Sequence, residues 1–312
     1  MSRIRTAFLG TPEFSRHCLE ALIKDEHFEV VGVITQPDRP SGRNMKLTPS
    51  PVKALVEPLG IPLLTPESVN TPEILATVAG WRAEAAVVVA FGQILKQDFL
   101  DLLPRKIVNV HTSLLPRWRG AAPIQRAIMA GDLETGVCLQ VMEFKLDAGD
   151  VLGFRRLALT PEINALDLHE ALKPLAVELL TVDLMDYLRG NLSPLPQDSS
   201  LVTYASKISK GEAQIDWRKP AVVILNQIRG LALGPAAVCR RPTHSLKIHH
   251  AKLQAQVTGL PGEVVRIDGA SFTVACEEQG LEIFEVQPES RARMAVSDYL
   301  KGYPLKVGEM LL

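Results

Sequence analysis

The chain has 312 residues, 46% of them hydrophobic and 22% charged, with a formal net charge of −1. That length suggests two domains at roughly 150 residues each, with ample apolar material for a core. The composition excludes a mainly disordered, collagen-like or fibrous chain, and no apolar run approaches the roughly 18 residues of a spanning helix.

The opening, MSRIRTAFLG, has two arginines and a short apolar run before Gly10-Thr11-Pro12. It reads as a first strand rather than a targeting peptide. The four cysteines, Cys18, Cys138, Cys239 and Cys276, are far apart and form no C-x-x-C pair. They suggest neither a disulfide framework nor a zinc site, and the expected address is the cytoplasm.

Through residue 160, short apolar runs alternate with amphipathic stretches. Strands are expected at 4–9, 30–35, 62–64, 85–90, 107–110 and 137–142. Helices are expected at 12–24, 51–59, 72–79, 97–102 and 123–130, several with proline in the first turn, where a missing N–H costs nothing. The all-apolar AAVVVAF suits a strand buried on both faces. The alternation predicts an α/β fold with a Rossmann-like, mostly parallel sheet. Ligands of such sheets bind at the carboxyl ends of the strands.

Residues 164–188 read as one long amphipathic helix. The following RGNLSPLPQDSS is rich in Pro, Ser and Asn, so 190–206 is expected to be a linker between domains at 1–189 and 207–312. A helix at 221–231 precedes strands at 246–251, 262–267, 271–276 and 281–286. These predict a small C-terminal β-barrel, OB-like in character. Residues 201–260 hold nine Lys/Arg against Glu212 and Asp216, a local charge of +7, as a polyanion-binding surface would.

Gly10-Thr11-Pro12 opens a helix after the first strand. It is neither G-x-G-x-x-G nor G-x-x-x-x-G-K-[ST], which argues against a dinucleotide or nucleoside-triphosphate site. NVHTSLLPRWRGAAPI (109–124) is more informative. Asn109 and His111, two apart on a strand, project from one face. Asn supplies amide donors, and His can donate, accept or move a proton. Asp147, in the loop Leu146-Asp147-Ala148-Gly149-Asp150, could orient that imidazole and favour its charged form. No metal is expected, because the seven histidines are dispersed and His249-His250 is only an adjacent pair on a strand.

At these residues the chain resembles the folate-dependent formyltransferases, most closely those acting on methionyl-tRNA. The resemblance spans essentially the whole chain. Its strongest blocks are QPDRPSGRNMKLTPSPVK (36–53), VVVAFGQIL (87–95), NVHTSLLPRWRGAAPI (109–124), LDAGDVL (146–152) and YASKISKGEAQIDW (204–217). It implies transfer of the formyl group of N10-formyltetrahydrofolate to the α-amine of initiator methionyl-tRNA, giving the formylmethionyl-tRNA of translation initiation. It implies Asn109, His111 and Asp147 as the catalytic group. It also implies Ser113, Leu114, Leu115 and Pro116 as folate-lining residues, with Ile94 and Leu95 in a strand-end loop against the pteridine.

The insertion 36–53, with four prolines and Gly42, reads as an extended irregular loop of the kind that often carries function. The resemblance makes it the part that meets the acceptor end of the tRNA, through Arg43, Lys46 and Arg39, with the C-terminal domain holding the tRNA backbone. The expected partners are tRNA and folate, without a membrane, on a monomer. The chain departs from its relatives at Asn44-Met45-Lys46, at Lys145 before the Leu146-Asp147 pair, and at 231–236, where an Asn-Pro-Trp-Pro-like segment is usual. The alternatives are formyl transfer to an amino sugar or a glycinamide ribonucleotide, hydrolysis of the donor, and a catalytically idle nucleic-acid-binding protein.

Overall fold

The structure is a computed structural model that describes residues 2–41 and 45–312. Through residue 129 the elements are β1 (Ile4–Gly10), α1 (Glu13–Lys24), β2 (Phe28–Ile34), β3 (Arg39–Ser41), β4 (Lys46–Thr48), α2 (Pro51–Val56), β5 (Leu63–Leu64), α3 (Pro72–Gly80), β6 (Ala85–Val89), α4 (Gln97–Leu100), β7 (Ile107–His111), β8 (Arg119–Gly120) and α5 (Pro123–Met129). There follow β9 (Glu134–Val141), β10 (Val151–Ala158), α6 (Ala165–Glu178), α7 (Leu184–Leu188), β11 (Tyr204–Ala205), α8 (Ala221–Gly230), β12 (Ala237–Arg240), β13 (Ser245–Gln254), β14 (Val264–Ile267), β15 (Phe272–Ala275), β16 (Gly280–Pro288), β17 (Met294–Ala295) and α9 (Val296–Gly302).

The chain divides into two compact units. One comprises residues 1–120, 135–157 and 169–204; the other comprises 121–134, 158–168 and 205–312. Residues 190–204, expected as linker, group with the first unit, and Leu195 exchanges two main-chain hydrogen bonds with Val151.

The first unit is built on a seven-stranded sheet in the order β10-β9-β7-β6-β1-β2-β5. The pairs β5-β2, β2-β1, β1-β6 and β6-β7 are parallel, and β7-β9 is antiparallel. The mostly parallel α/β sheet is therefore as expected. All five residues of β6 are buried, which explains why its apolar run shows no alternation. The chain moves outward through β1, β2 and β5 and then returns to the other side of β1 to lay down β6. In open α/β sheets, ligands bind at the carboxyl ends of the strands beside such a reversal. Helix starts follow local chemistry: Ser50 and Thr71 cap α2 and α3 through their hydroxyls, each with proline in the first turn.

Two expectations need correction. Residues 164–188 are not one regular α-helix: the chain widens into a π-helical turn over Leu179–Asp183 between α6 and α7, after Pro174 has removed an N–H from α6. The insertion 36–53 is not structureless either. β3 and β4 pair as an antiparallel hairpin, with Arg39 opposite Thr48 and Ser41 opposite Lys46.

The second unit carries the antiparallel sheet β12-β13-β16-β15-β14, with β17 on β16. Residues 308–312 join its two edges. Leu312 exchanges two main-chain hydrogen bonds with Arg240, the last residue of β12. Leu311 donates to Gly262, and Val264 on β14 donates to Glu309. The tail thus completes a barrel-like ring of hydrogen bonds around a core that includes Trp217, Ile248, Phe272 and Tyr299. α8 lies so close to α5 that a Cβ on Gly230 would sit 2.5 Å from the Met129 side chain.

No described helix is long and apolar enough to cross a membrane.

Candidate active site

The parallel pairing of β6 with β7 places Val89 opposite Val110. The segments after these strands, from residues 90 and 112, therefore leave the same end of the sheet side by side. β7 contributes Asn109, partly exposed, and His111, which is 5% exposed. Their neighbours on antiparallel β9 are Gln140, opposite Asn109, and Cys138, opposite His111.

His111 is held from both sides. Nε2 lies 2.8 Å from the main-chain oxygen of Trp118. A carbonyl only accepts, so Nε2 carries a hydrogen and donates. The remaining ring nitrogen, Nδ1, lies 3.7 Å from Asp147 Oδ1. Trp118 adopts φ +65°, and its own N–H donates to Thr203 Oγ1 at 2.9 Å, so the accepting carbonyl is itself fixed in place.

Asp147 occupies the left-handed region at φ +46°, uncommon for a residue with a Cβ. Its side chain is 11% exposed and accepts two hydrogen bonds. Gly120 N–H donates to Oδ2 at 2.8 Å, and Gln140 Nε2 donates to Oδ1 at 3.0 Å. Among the described residues the Asn109 carboxamide has no hydrogen-bond partner, which leaves its N–H groups available at the strand end.

Ser113 is fully buried and donates through Oγ to Arg117 O at 2.6 Å; the Leu115–Pro116 peptide is cis. Leu114, Leu115 and Pro116 are partly exposed. In the neighbouring segment, Ile94 is 74% exposed, whereas the Leu95 side chain is buried in the core. Phe91 O accepts from Thr11 Oγ1 and Gln36 Nε2, which ties the ends of β1, β2 and β6 together.

On the hairpin, Arg39 pairs with Glu67 at 2.8 Å and Lys46 is exposed. Arg43 lies outside the described residues. Lys53 is held by Asp38 at 2.9 Å, so it does not belong to the free charge of the insertion. In the second unit the +7 is likewise partly used internally. Arg241 pairs with Glu309, Arg218 pairs with Asp216, and Arg229 donates to the carbonyls of Thr160, Pro161 and Ile163. Lys207, Lys210, Lys219, Arg240, Lys247 and Lys252 remain exposed.

Three polar residues of this region escaped the sequence reading. Gln140 could have been found as the cross-strand neighbour of Asn109. Arg119, 5% exposed, sits inside the central motif. Gln197 lies in the stretch that composition marks as linker and carries no local signal. No group of three His, Cys, Asp or Glu among the described residues is arranged to hold a metal.

The formyl transferase family model matches residues 4–182, and that for the formyl transferase C-terminal domain matches residues 207–304. A methionyl-tRNA formyltransferase of Bdellovibrio bacteriovorus is 54% identical over 316 residues, covering 100% of this chain and 99% of its own. One from Rhodopseudomonas palustris is 43% identical, covering 97% of each chain. The fold is also similar to HypX from Aquifex aeolicus in complex with tetrahydrofolic acid. The TM-score is 0.68 and identity 17%, over 99% of this chain and 49% of that one.

Proposed function

Because the chain belongs to the formyl transferase family, alongside the methionyl-tRNA formyltransferases, we propose that it transfers a formyl group from N10-formyltetrahydrofolate to the α-amine of methionyl-tRNA. The observation that carries the chemistry is the convergence of Asn109, His111 and Asp147 at the carboxyl end of β7.

The reaction forms one C–N bond and breaks another. The lone pair of the neutral amine attacks the formyl carbon, and the carbonyl electrons move onto oxygen. Collapse of the tetrahedral intermediate expels N10 of the folate. The amine loses one proton and N10 gains one, so no net proton is consumed. The oxyanion needs donors fixed in advance, and the unengaged Asn109 amide supplies them without titrating. With Nε2–H bonded to Trp118 O, Nδ1 is the ring atom of His111 that can take the proton from the amine and return it to N10. A proton on Nδ1 faces Asp147 Oδ1, 3.7 Å away.

In this reading the donor binds at the carboxyl ends of β6 and β7. Ser113, Leu114, Leu115 and Pro116 line one side, and Ile94 with the main chain at Leu95 lines the other. On the acceptor side, Lys46 and Arg39 of the hairpin, together with Arg43, meet the end of the tRNA. The exposed cations of the second unit hold its phosphates, an attraction that weakens with salt. In this reading, residues 1–189 do the chemistry and 207–312 bind tRNA, with the enzyme acting as a monomer.

Product stoichiometry tests the reaction class. One tetrahydrofolate should appear per formylmethionyl-tRNA, with no formate. Formate release at the same rate without acceptor would mean that water is the acceptor and would overturn the proposal.

A further inference from the structure

We propose that Gln197 is a positioning residue for the Asp147–His111 pair. Its carboxamide is engaged at both ends. Nε2 donates to Asp147 O at 2.9 Å and Gly149 O at 2.7 Å. Oε1 accepts from Arg119 Nε at 3.1 Å and Nη2 at 2.7 Å.

The partners dictate the orientation of the amide. A guanidinium only donates and a main-chain carbonyl only accepts, so Oε1 must face Arg119 and the NH2 must face the loop. Arg119 is buried, and its two charge-assisted bonds make that orientation strongly preferred. Gln197 thereby grips the main chain on both sides of Ala148. Asp147 holds a left-handed conformation, which costs free energy for a residue with a Cβ even though Asp tolerates it better than most. The two bonds from Nε2 hold it there. Gly120 N–H and Gln140 Nε2 then aim the carboxylate, so that Oδ1 faces His111 Nδ1.

The residue comes from a segment that otherwise reads as a tether, in which Leu195 pairs with Val151 two positions before Gln197. The inference rests on the role of Asp147 proposed above. Gln197 touches no reacting atom; it acts through the placement of Asp147.

The test uses Gln197→Ala, Gln197→Glu, Asp147→Asn and the double variant Gln197→Ala/Asp147→Asn, in the formyl-transfer assay. A misplacement near 1 Å costs about 10²-fold in rate, so kcat should fall by about 10–100-fold in Gln197→Ala. The KM values for donor and methionyl-tRNA should stay within about threefold of wild type. Gln197→Glu keeps and strengthens the acceptor for Arg119 but cannot donate to the two carbonyls. It should be as impaired as Gln197→Ala, and in both the pH profile of kcat should move. The double variant should be no slower than Asp147→Asn alone, because Gln197 works through that residue.

Full activity in Gln197→Glu, or losses that multiply in the double variant, would overturn the inference and assign Gln197 a purely structural role. Wild-type activity in both Gln197 variants beside an inactive Asp147→Asn would overturn the inference alone. Wild-type activity in Asp147→Asn would overturn the reading of the site itself.

Discussion

His111 Nε2 lies 2.8 Å from the carbonyl oxygen of Trp118 and must donate to it. This contact fixes the ring tautomer before any substrate arrives and, in the proposed mechanism, leaves Nδ1 as the atom that exchanges protons. Nitrogen-15 NMR of the labelled enzyme should therefore show neutral His111 with its hydrogen on Nε2. A ring protonated on Nδ1 would contradict the assignment of Nδ1 as base.

Asn109→Ala removes the proposed oxyanion donor and little else. Loss of one such donor typically lowers turnover by about 10²–10³. Because the carboxamide has no hydrogen-bond partner among the described residues, the melting temperature should barely change. Near-normal turnover in this variant would remove Asn109 from the mechanism.

Gly149 explains how sharply the loop that carries Asp147 is held. A Cβ there would sit 1.7 Å from Val141 O, within bonding distance of a backbone atom that cannot yield. Gly149→Ala should destabilise the fold by about 1–3 kcal/mol or more and depress activity, because Asp147 lies two residues away. Gly302, where an added Cβ meets nothing within 4 Å, is the control. Thermal melting and turnover of Gly149→Ala and Gly302→Ala should separate clearly.

Most of the first unit was legible because its signals are local. Buried parallel strands such as β6 appear as unbroken apolar runs, and Ser50-Pro51 and Thr71-Pro72 mark helix starts. Asn109 and His111 could be paired from their spacing on one strand, whereas the approach of Asp147 Oδ1 to 3.7 Å from His111 Nδ1 joins a strand to a loop far along the chain, which spacing does not fix. The π turn at Leu179–Asp183 leaves the apolar pattern nearly unchanged and so escapes a periodicity reading. Strand β12 is four residues long and the tail 308–312 shows no strand pattern; their pairing depends on contacts distant in sequence. Gln197 is the extreme case: its two acceptors lie about fifty residues before it, and nothing near it in the chain announces them.

Acid should weaken the second unit in a defined window. Glu212 is held down to about 2, first by its hydrogen bond to Arg126 and then by the Ser209 N–H, from an ordinary value of 4.5. The folded state binds fewer protons than the unfolded state between these values. The stabilisation is therefore fully present above about pH 4.5 and is lost as pH falls toward 2. Glu212→Gln should flatten the pH dependence of the unfolding free energy in that range. An unchanged slope would mean that the pair contributes nothing.

The acceptor is the centre of the account, and a competition assay addresses it most directly. N10-formyltetrahydrofolate would be offered with methionyl-tRNA, uncharged tRNA, free methionine, a glycinamide ribonucleotide and an amino sugar nucleotide, at low and moderate salt. The account predicts transfer to methionyl-tRNA alone, with an affinity that falls as salt rises. Transfer to one of the small amines, with methionyl-tRNA untouched, would contradict it while leaving the Asn109, His111 and Asp147 chemistry in place.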